Sequence, residues 1–443
     1  MPVKKTSSLR YAIGMFGTSI PINMFKTYAA AFYVMGRGVT TTQLALVIFI
    51  YTFVDALDNP VYGFLSDRTR TRWGRRRPWL VIGAPLLVLT FILFFNVPSF
   101  IGENSIFIYL LLMYILTGTL DSLINANYAA LFPELFKTDA ERAKTNAMRQ
   151  AFQLVAMVIS IALTPVVTEK LGYGMTAVIY GALACAVILY MAFGCHEVPR
   201  DEETEKPRLL STLKDMLTNK KFWLFGLTNA FYSAAMALVM AAVPFYVKYT
   251  LGLEGMANTV LLGVVLLLAI VFVAVWAKLV KKFTLMPVWR AALIVMGLAF
   301  LPLYFAASLP TAVLGCICVG IGFAGVITTM DLVGARIMDD DLRMHGIKRE
   351  GIYASAMGFM NRLSGFFTSL AFLLVANLYG FESGDVPGPQ PAQAAKFLLV
   401  IFPFCVMVLS VFVSRFLKFP ELDGAARGKM GASSAPKAGG GGE

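Results

Sequence analysis

Apolar residues in this chain come in long blocks, and charged residues gather in the gaps between them. A block of about 20 apolar residues is the length that crosses a bilayer as a helix. A helix also satisfies its backbone hydrogen bonds internally, as lipid requires. About twelve such segments can be marked. They are 11–35, 43–66, 78–97, 105–131, 146–171 and 175–195, then 222–249, 259–279, 287–307, 311–337, 353–379 and 394–417. A transmembrane barrel would show short alternating strands instead, and none are seen. Between the two sets, 196–221 mixes charges with prolines and reads as a cytoplasmic linker. The stretch 419–443 is small and flexible in composition and reads as a disordered tail. The expected fold class is an all-α membrane protein of about twelve transmembrane helices, with six-helix halves at 1–195 and 222–418.

Composition supports lipid as the solvent. The 443 residues are 58% hydrophobic and 14% charged, whereas a soluble domain is about a quarter charged. The net charge of +12 matters through its placement. Arg68, Arg70, Arg72, Arg75, Arg76 and Arg77 lie between the second and third segments, and such a cluster marks the cytoplasmic side. The first ten residues are polar and basic with no cleavable signal visible, which places the N-terminus inside. An even number of crossings then returns the C-terminus to the same side. The loops expected outside carry only Arg37, Lys170 and Lys248 as bases. The expected location is therefore a cell inner membrane, with the bilayer as partner and both termini cytoplasmic.

Several function classes drop out. No soluble basic module is present for nucleic acid. Cys185, Cys195, Cys316, Cys318 and Cys405 lie in or beside apolar blocks without ligand spacing, as free thiols do. No nucleophile–base pair, phosphate loop or metal cluster points to an enzyme. The two halves also look related. GFLSDRTRTRWGRRRPW follows the second segment and AKLVKKFTLMPVW follows the eighth, each a basic turn that opens the next segment with proline and tryptophan. Repeated halves that rock about a midplane site are the plan of a transporter.

A few polar side chains break the apolar blocks. Asp55, Asp58 and Tyr62 fall at i, i+3 and i+7 on one helical face, flanked by Asn59. Each acid costs about 2.5–3.5 kcal/mol near the bilayer centre, and two close carboxylates do not both ionise without a counter-charge. A bound Na⁺ or H⁺ relieves both costs, with Asp55 and Asp58 as its ligands. A structural base on a neighbouring helix would do the same. In the fourth segment Asp121, Asn125 and Tyr128 share a face beside Ser122, suited to sugar hydroxyls and a pyranose ring. Lys26 in the first segment, with Ser19 and Asn23 nearby, is a lone base that could pair with Asp55 or Asp121 or snorkel to the interface; Arg149 and Gln150 open the fifth segment, and Asn361 and Arg362 sit in the eleventh. These complete the expected substrate contacts. Arg362 lies too deep to snorkel, so it must meet a carboxylate or the substrate. Asp331 in the tenth segment is a further candidate. Gly63, Asp67, Arg68 and Arg75 form an expected ion-pair latch on the inner face. Its candidate partners are Glu134, Arg142 and the charged stretch 339–351.

The Gly-x-x-x-Asp-Arg string with trailing arginines resembles the signature loop of the major facilitator superfamily. The longer DALDNPVYGFLSDRTRTRWGRRRPW, with NYAALFPEL, DAERAKTNAMR and KREGIYA, resembles its glycoside–pentoside–hexuronide:cation symporter family. The resemblance covers 11–417. It implies cation-coupled uptake of a glycoside or uronide by a functional monomer that needs no cofactor beyond the coupling cation. Carried over, the cation site is Asp55, Asp58, Asn59 and Ser122. The substrate positions fall at Ser19, at Asn125 with Asp121 one turn earlier, at Gln150 beside Arg149, and at Arg362. Asp58 precedes Asn59 here, the reverse of the order in the family's type member. Fewer pocket acids, with Arg362, Lys26 and Arg149 retained, suit an anionic sugar such as a uronide. The alternatives of the same fold are a lysolipid or amphiphile carrier and an uncoupled sugar facilitator.

Overall fold

The computed structural model describes residues 6–69, 71, 73–102, 105–136, 139–197, 219–345, 360 and 362–419. Among them all regular structure is helical. A short α1 (Ser8–Ala12) leads into α2 (Gly14–Gly36), α3 (Thr41–Arg68), α4 (Arg77–Phe95) and α5 (Ile106–Leu135). α6 (Asp139–Met157) ends in a π turn, Val158–Ala162, followed by α7 (Thr164–Gly194). After residue 218 come α8 (Lys220–Tyr246), α9 (Met256–Phe283), α10 (Leu285–Leu298), α11 (Leu301–Phe305) and α12 (Leu309–His345). The chain then forms α13 (Ser364–Tyr379), α14 (Pro391–Lys396) and α15 (Phe402–Ser414). Among the described residues, eight helical stretches are long and apolar enough to cross a membrane. Most of the linker read at 196–221 and nearly all of the tail read at 419–443 lie outside the described residues.

Local chemistry explains several boundaries. α3 starts at a capping box in which Thr40 Oγ1 accepts the Gln43 N–H and Gln43 Oε1 accepts the Thr40 N–H. α8 starts where the Asn219 side chain accepts from Lys221 and Phe222. Gly172, at φ 74°, kinks the run Thr164–Gly194, which is where the sequence pattern places the gap between the fifth and sixth segments. The structure differs in helix length. α6 begins at Asp139, seven residues before the apolar block, because its first turns are polar and can stand in water. α12 likewise continues to His345 through the acids at 339–341.

Packing sorts the helices into two groups. α4 lies on α5 and α7, α2 on α6 and α7, and α3 on α5. In the second group α9 and α10 lie on α12, and α15 lies on α8. The groups meet along α3–α13 and α2–α8, and where α9 touches the Val158–Ala162 turn. Burial grades the helices: 89% of the apolar stretch of α8 is enclosed, against 33% for α9. α8 is therefore an interior helix and α9 a perimeter one. Large apolar side chains such as Ile82, Val271, Leu314 and Phe412 point outward, which hydrocarbon tolerates and water does not.

α12 packs closely because it carries glycines at its crossings, as membrane helices commonly do. A Cβ on Gly320 would stand 2.8 Å from the Val265 carbonyl oxygen, and one on Gly322 would stand 2.6 Å from Met296 Cα. Gly263, by comparison, has its nearest neighbour, Ala162 Cβ, at 3.7 Å. Gly322→Ala is expected to cost about 1–3 kcal/mol by overpacking and to lower the thermal midpoint in detergent, whereas Gly263→Ala leaves it near wild type. Equal midpoints would contradict the packing described.

Candidate substrate and cation site

Where the two groups meet, they enclose a cavity of about 530 Å³, within the range that takes a small-molecule ligand. Six alanines from α2, α5 and α8 keep its walls thin, and Tyr51, Tyr114 and Phe372 supply aromatic faces. Its charged lining is Lys26, Asp55, Asp121 and Arg362. Three helices of the first group and the residue just before α13 in the second thus bring two bases and two acids to one space.

α3 presents Asp55 to this cavity. Asp55 Oδ1 accepts from Ser122 Oγ at 3.0 Å and lies 2.7 Å from Arg362 Nε. The second contact is an ion pair by distance, without the alignment of a hydrogen bond. It crosses from one helix group to the other. Asp58, one turn on, accepts from Thr119 Oγ1 at 3.0 Å and sits behind the cavity wall, 8% exposed. Two acids three residues apart on α3 therefore meet two hydroxyls three residues apart on α5. Ser122 was marked from the sequence and Thr119 was not. Its signal was the matched spacing, which shows only once α3 and α5 are known to touch.

On α5 Asp121 also lines the cavity, and Asn125 donates to Asp121 Oδ1 at 2.7 Å. The lining face of α5 runs Asp121, Ser122, Asn125, Ala126, Ala129. Tyr128 lies off that face. Its ring stacks on Tyr11 at 4.6 Å, each hydroxyl donates to the other residue's carbonyl, and it is 1% exposed. The short α1, which the apolar pattern does not single out, covers that side of α5. Arg149 is drawn to the same cluster, 5.1 Å from the Tyr128 and Phe132 ring centres. Gln150 is exposed beside it. Lys26 lines the cavity, Ser19 is buried, and Asn23 is half-buried with its Nδ2 lacking a hydrogen-bond partner. The structure thus gathers Lys26, Asp55, Asp121, Ser122, Asn125 and Arg362, and holds Tyr128 and Arg149 apart. The side chains of Asn59, Asp331 and Asn361 lie outside the described residues.

For a hard cation, the oxygens of Asp55, Asp58, Ser122 and Thr119 are suitable donors. No group of three or more His, Cys, Asp or Glu is placed to hold a metal among the described residues, so such a site is half carboxylate and half hydroxyl. As arranged, Arg362 stands on the Asp55 oxygen such an ion would take.

The charges between α3 and α4 form a second network. Glu134 Oε1 lies 2.6 Å from Arg75 Nη2 and 3.0 Å from Arg76 Nε, while Arg76 Nη1 donates to Ser66 Oγ. Arg75 and Glu134 were marked by name from the sequence, and the buried Arg76 as part of the arginine run. Gly63, Asp67, Arg68 and Arg142 have side chains outside the described residues. Glu197, at the start of the predicted linker, accepts the backbone N–H groups of Arg75, Arg76 and Arg77 at 2.7–3.2 Å. It fills the N-terminus of α4, where the helix dipole favours an anion. Gly74 lets it approach: φ is 104°, and a Cβ there would stand 2.6 Å from the carboxylate.

The family described as MFS/sugar transport protein matches residues 10–421. The isoprimeverose transporter of Lactiplantibacillus pentosus is 24% identical over 429 residues, 93% of this chain and 88% of that one. The glucuronide carrier protein homolog of Escherichia coli (strain K12) is 21% identical over 412 residues, 91% of this chain and 90% of that one. Among solved structures, the nucleoside transporter NupG has a TM-score of 0.69 at 11% identity, covering 93% of this chain and 99% of that one. A bacterial homolog of the human lysosomal transporter Spinster, titled as inward-facing and unoccupied, has a TM-score of 0.68 at 13% identity and covers 97% of each. These likenesses carry the fold.

The network at the start of α4 is testable by itself. Glu197→Gln removes the charge from three hydrogen bonds and is expected to cost about 1–3 kcal/mol, read as a lower thermal midpoint in detergent. Gly74→Ala is expected to lower it as well, and a double variant should lose less than the sum. Strictly additive losses would show that Gly74 and Glu197 do not act through one contact.

Proposed function

Because the chain belongs to the MFS/sugar transport protein family, we propose that it is a secondary active transporter that carries a glycoside, pentoside or hexuronide together with Na⁺ or H⁺ by alternating access. The observation that carries this reading is the cavity at the junction of the helix groups, with Asp55 and Arg362 paired on its wall. The proposal includes about twelve crossings in two six-helix halves, 1–195 and 222–418, joined by a cytoplasmic linker. It also includes both termini inside the inner membrane and a monomer as the working unit. The relatives named for isoprimeverose and for a glucuronide support a sugar or sugar-acid cargo. Lys26 and Arg362 in the lining favour the acid.

The contacts between groups support an inward-facing state. Thr41 Oγ1 donates to the Phe381 carbonyl, Thr41 N to Glu382 and Gly384 N to Val34, all at the end expected outside. At the other end Arg75 pairs with Glu134 and Lys221 with Asp340, each pair within one group. Alternating access then requires the outer backbone clasp to open while the ends near α4 and α12 close. One observation favours a second reading. An arginine already seated on Asp55 would let an uncoupled facilitator work without a cation.

Uptake into proteoliposomes, over a panel of labelled glycosides and uronides with Na⁺ and pH gradients imposed separately, tests the proposal. Accumulation above equilibrium under one gradient is expected, and equilibration alone under every gradient would favour the facilitator. Asp55→Asn is expected to abolish accumulation while sparing downhill exchange. Unaltered accumulation in that variant would place the cation site elsewhere.

A further inference from the structure

We propose that Arg362 is a built-in counter-cation of the empty carrier, and that it must leave Asp55 before Na⁺ can bind there. The inference rests on the transporter reading above. Asp55 Oδ1 already has the Ser122 hydroxyl at 3.0 Å and the Arg362 guanidinium at 2.7 Å. A hard cation needs that oxygen as a ligand, and two positive groups at such a separation repel strongly in a medium of low dielectric. Na⁺ and Arg362 therefore compete for one atom. Asp58, which accepts from Thr119 and does not line the cavity, adds a carboxylate nearby but does not remove the competition for Asp55 Oδ1.

The backbone around Arg362 is not free to retreat. A Cβ on Gly365 would stand 2.1 Å from Thr52 Oγ1, so the start of α13 is pressed onto α3. Phe366 packs on Phe49 and Phe53 at 5.4 and 5.1 Å, and Ser369 Oγ donates to the Ala45 carbonyl at 2.7 Å. The exchange is thus made by the side chain alone. The side chain has room for it, since it lines the cavity and its Nε lacks hydrogen-bond alignment with Asp55. A displaced guanidinium would turn its fork of donors into the cavity, where it suits a carboxylate or sugar oxygens. Cation and substrate then assist each other through one residue: the cation frees the arginine, and the substrate occupies it. Without a cation the carrier remains neutral at Asp55 by its own means.

The test is direct binding of radiolabelled Na⁺ to the purified wild-type, R362Q and R362K proteins in detergent. R362Q is expected to bind Na⁺ at least about tenfold more tightly than wild type, the effect of removing an opposing charge within a few ångströms. R362K, which keeps the charge, is expected to stay near wild type. Binding by R362Q where wild type binds none would also support the inference. Unchanged or weaker binding by R362Q, with wild type binding Na⁺, would overturn it and leave the transporter reading standing. Binding by neither would end both the inference and Na⁺ coupling, while transport of the panel would still be measured separately. Should R362Q fail to fold, the wild type answers alone. Na⁺ is expected to speed modification of Arg362 by phenylglyoxal, read by mass spectrometry, and an unchanged or slower rate would overturn the competition.

Discussion

Asp55 and Arg362 meet at 2.7 Å, one on α3 and the other just before α13, in a chain whose outward surface is hydrocarbon-compatible. Neither charge could remain there alone, because an unpaired ion in a low-dielectric interior costs several kcal/mol. Each therefore constrains the helix that bears it. The Ser122 hydroxyl orients the carboxylate from a third helix, and Thr52, Phe49 and Ala45 seat the partner helix along the same seam. The pair thus sits where the cavity, the contact between helix groups and the α3–α5 hydroxyl contacts converge.

The pair also links architecture to transport. A tie between rigid groups that is electrostatic can be exchanged for another ion, whereas a packed seam of glycines and aromatics cannot. The clasp of Thr41 and Gly384 on Phe381, Glu382 and Val34 is made of hydrogen bonds to backbone carbonyls, which re-form with water when the ends part. A carrier needs both kinds of contact: strong packing within a group, as at Gly320 and Gly322, and exchangeable contacts between groups.

Much of this was legible from residue order, for identifiable reasons. Charge inside apolar blocks is expensive, so Asp55, Asp58, Asp121 and Arg362 announced themselves, and the structure places three of the four on one cavity. Residues whose role depends on a partner from elsewhere were less legible. Thr119 looks like any helical threonine until α3 is laid beside it. Glu197 looked like one solvated charge in a polar linker, yet it closes the first turn of α4. Tyr128 shows the opposite failure: helical periodicity put it near the lining face, but α1 reached it first and took its ring into the core. Arg149 followed, because the faces of aromatic rings attract a guanidinium.

The central claim is that Asp55 and Arg362 are energetically coupled across the two helix groups. A double-mutant cycle on reversible unfolding in detergent measures it most directly, with Asp55→Asn, Arg362→Gln and the two combined. The account predicts a coupling above about 1.5 kcal/mol, as found for close charge pairs, with the double variant more stable than the sum of the single losses implies. Losses that add to within about 0.3–0.5 kcal/mol, the behaviour of independent sites, would contradict it.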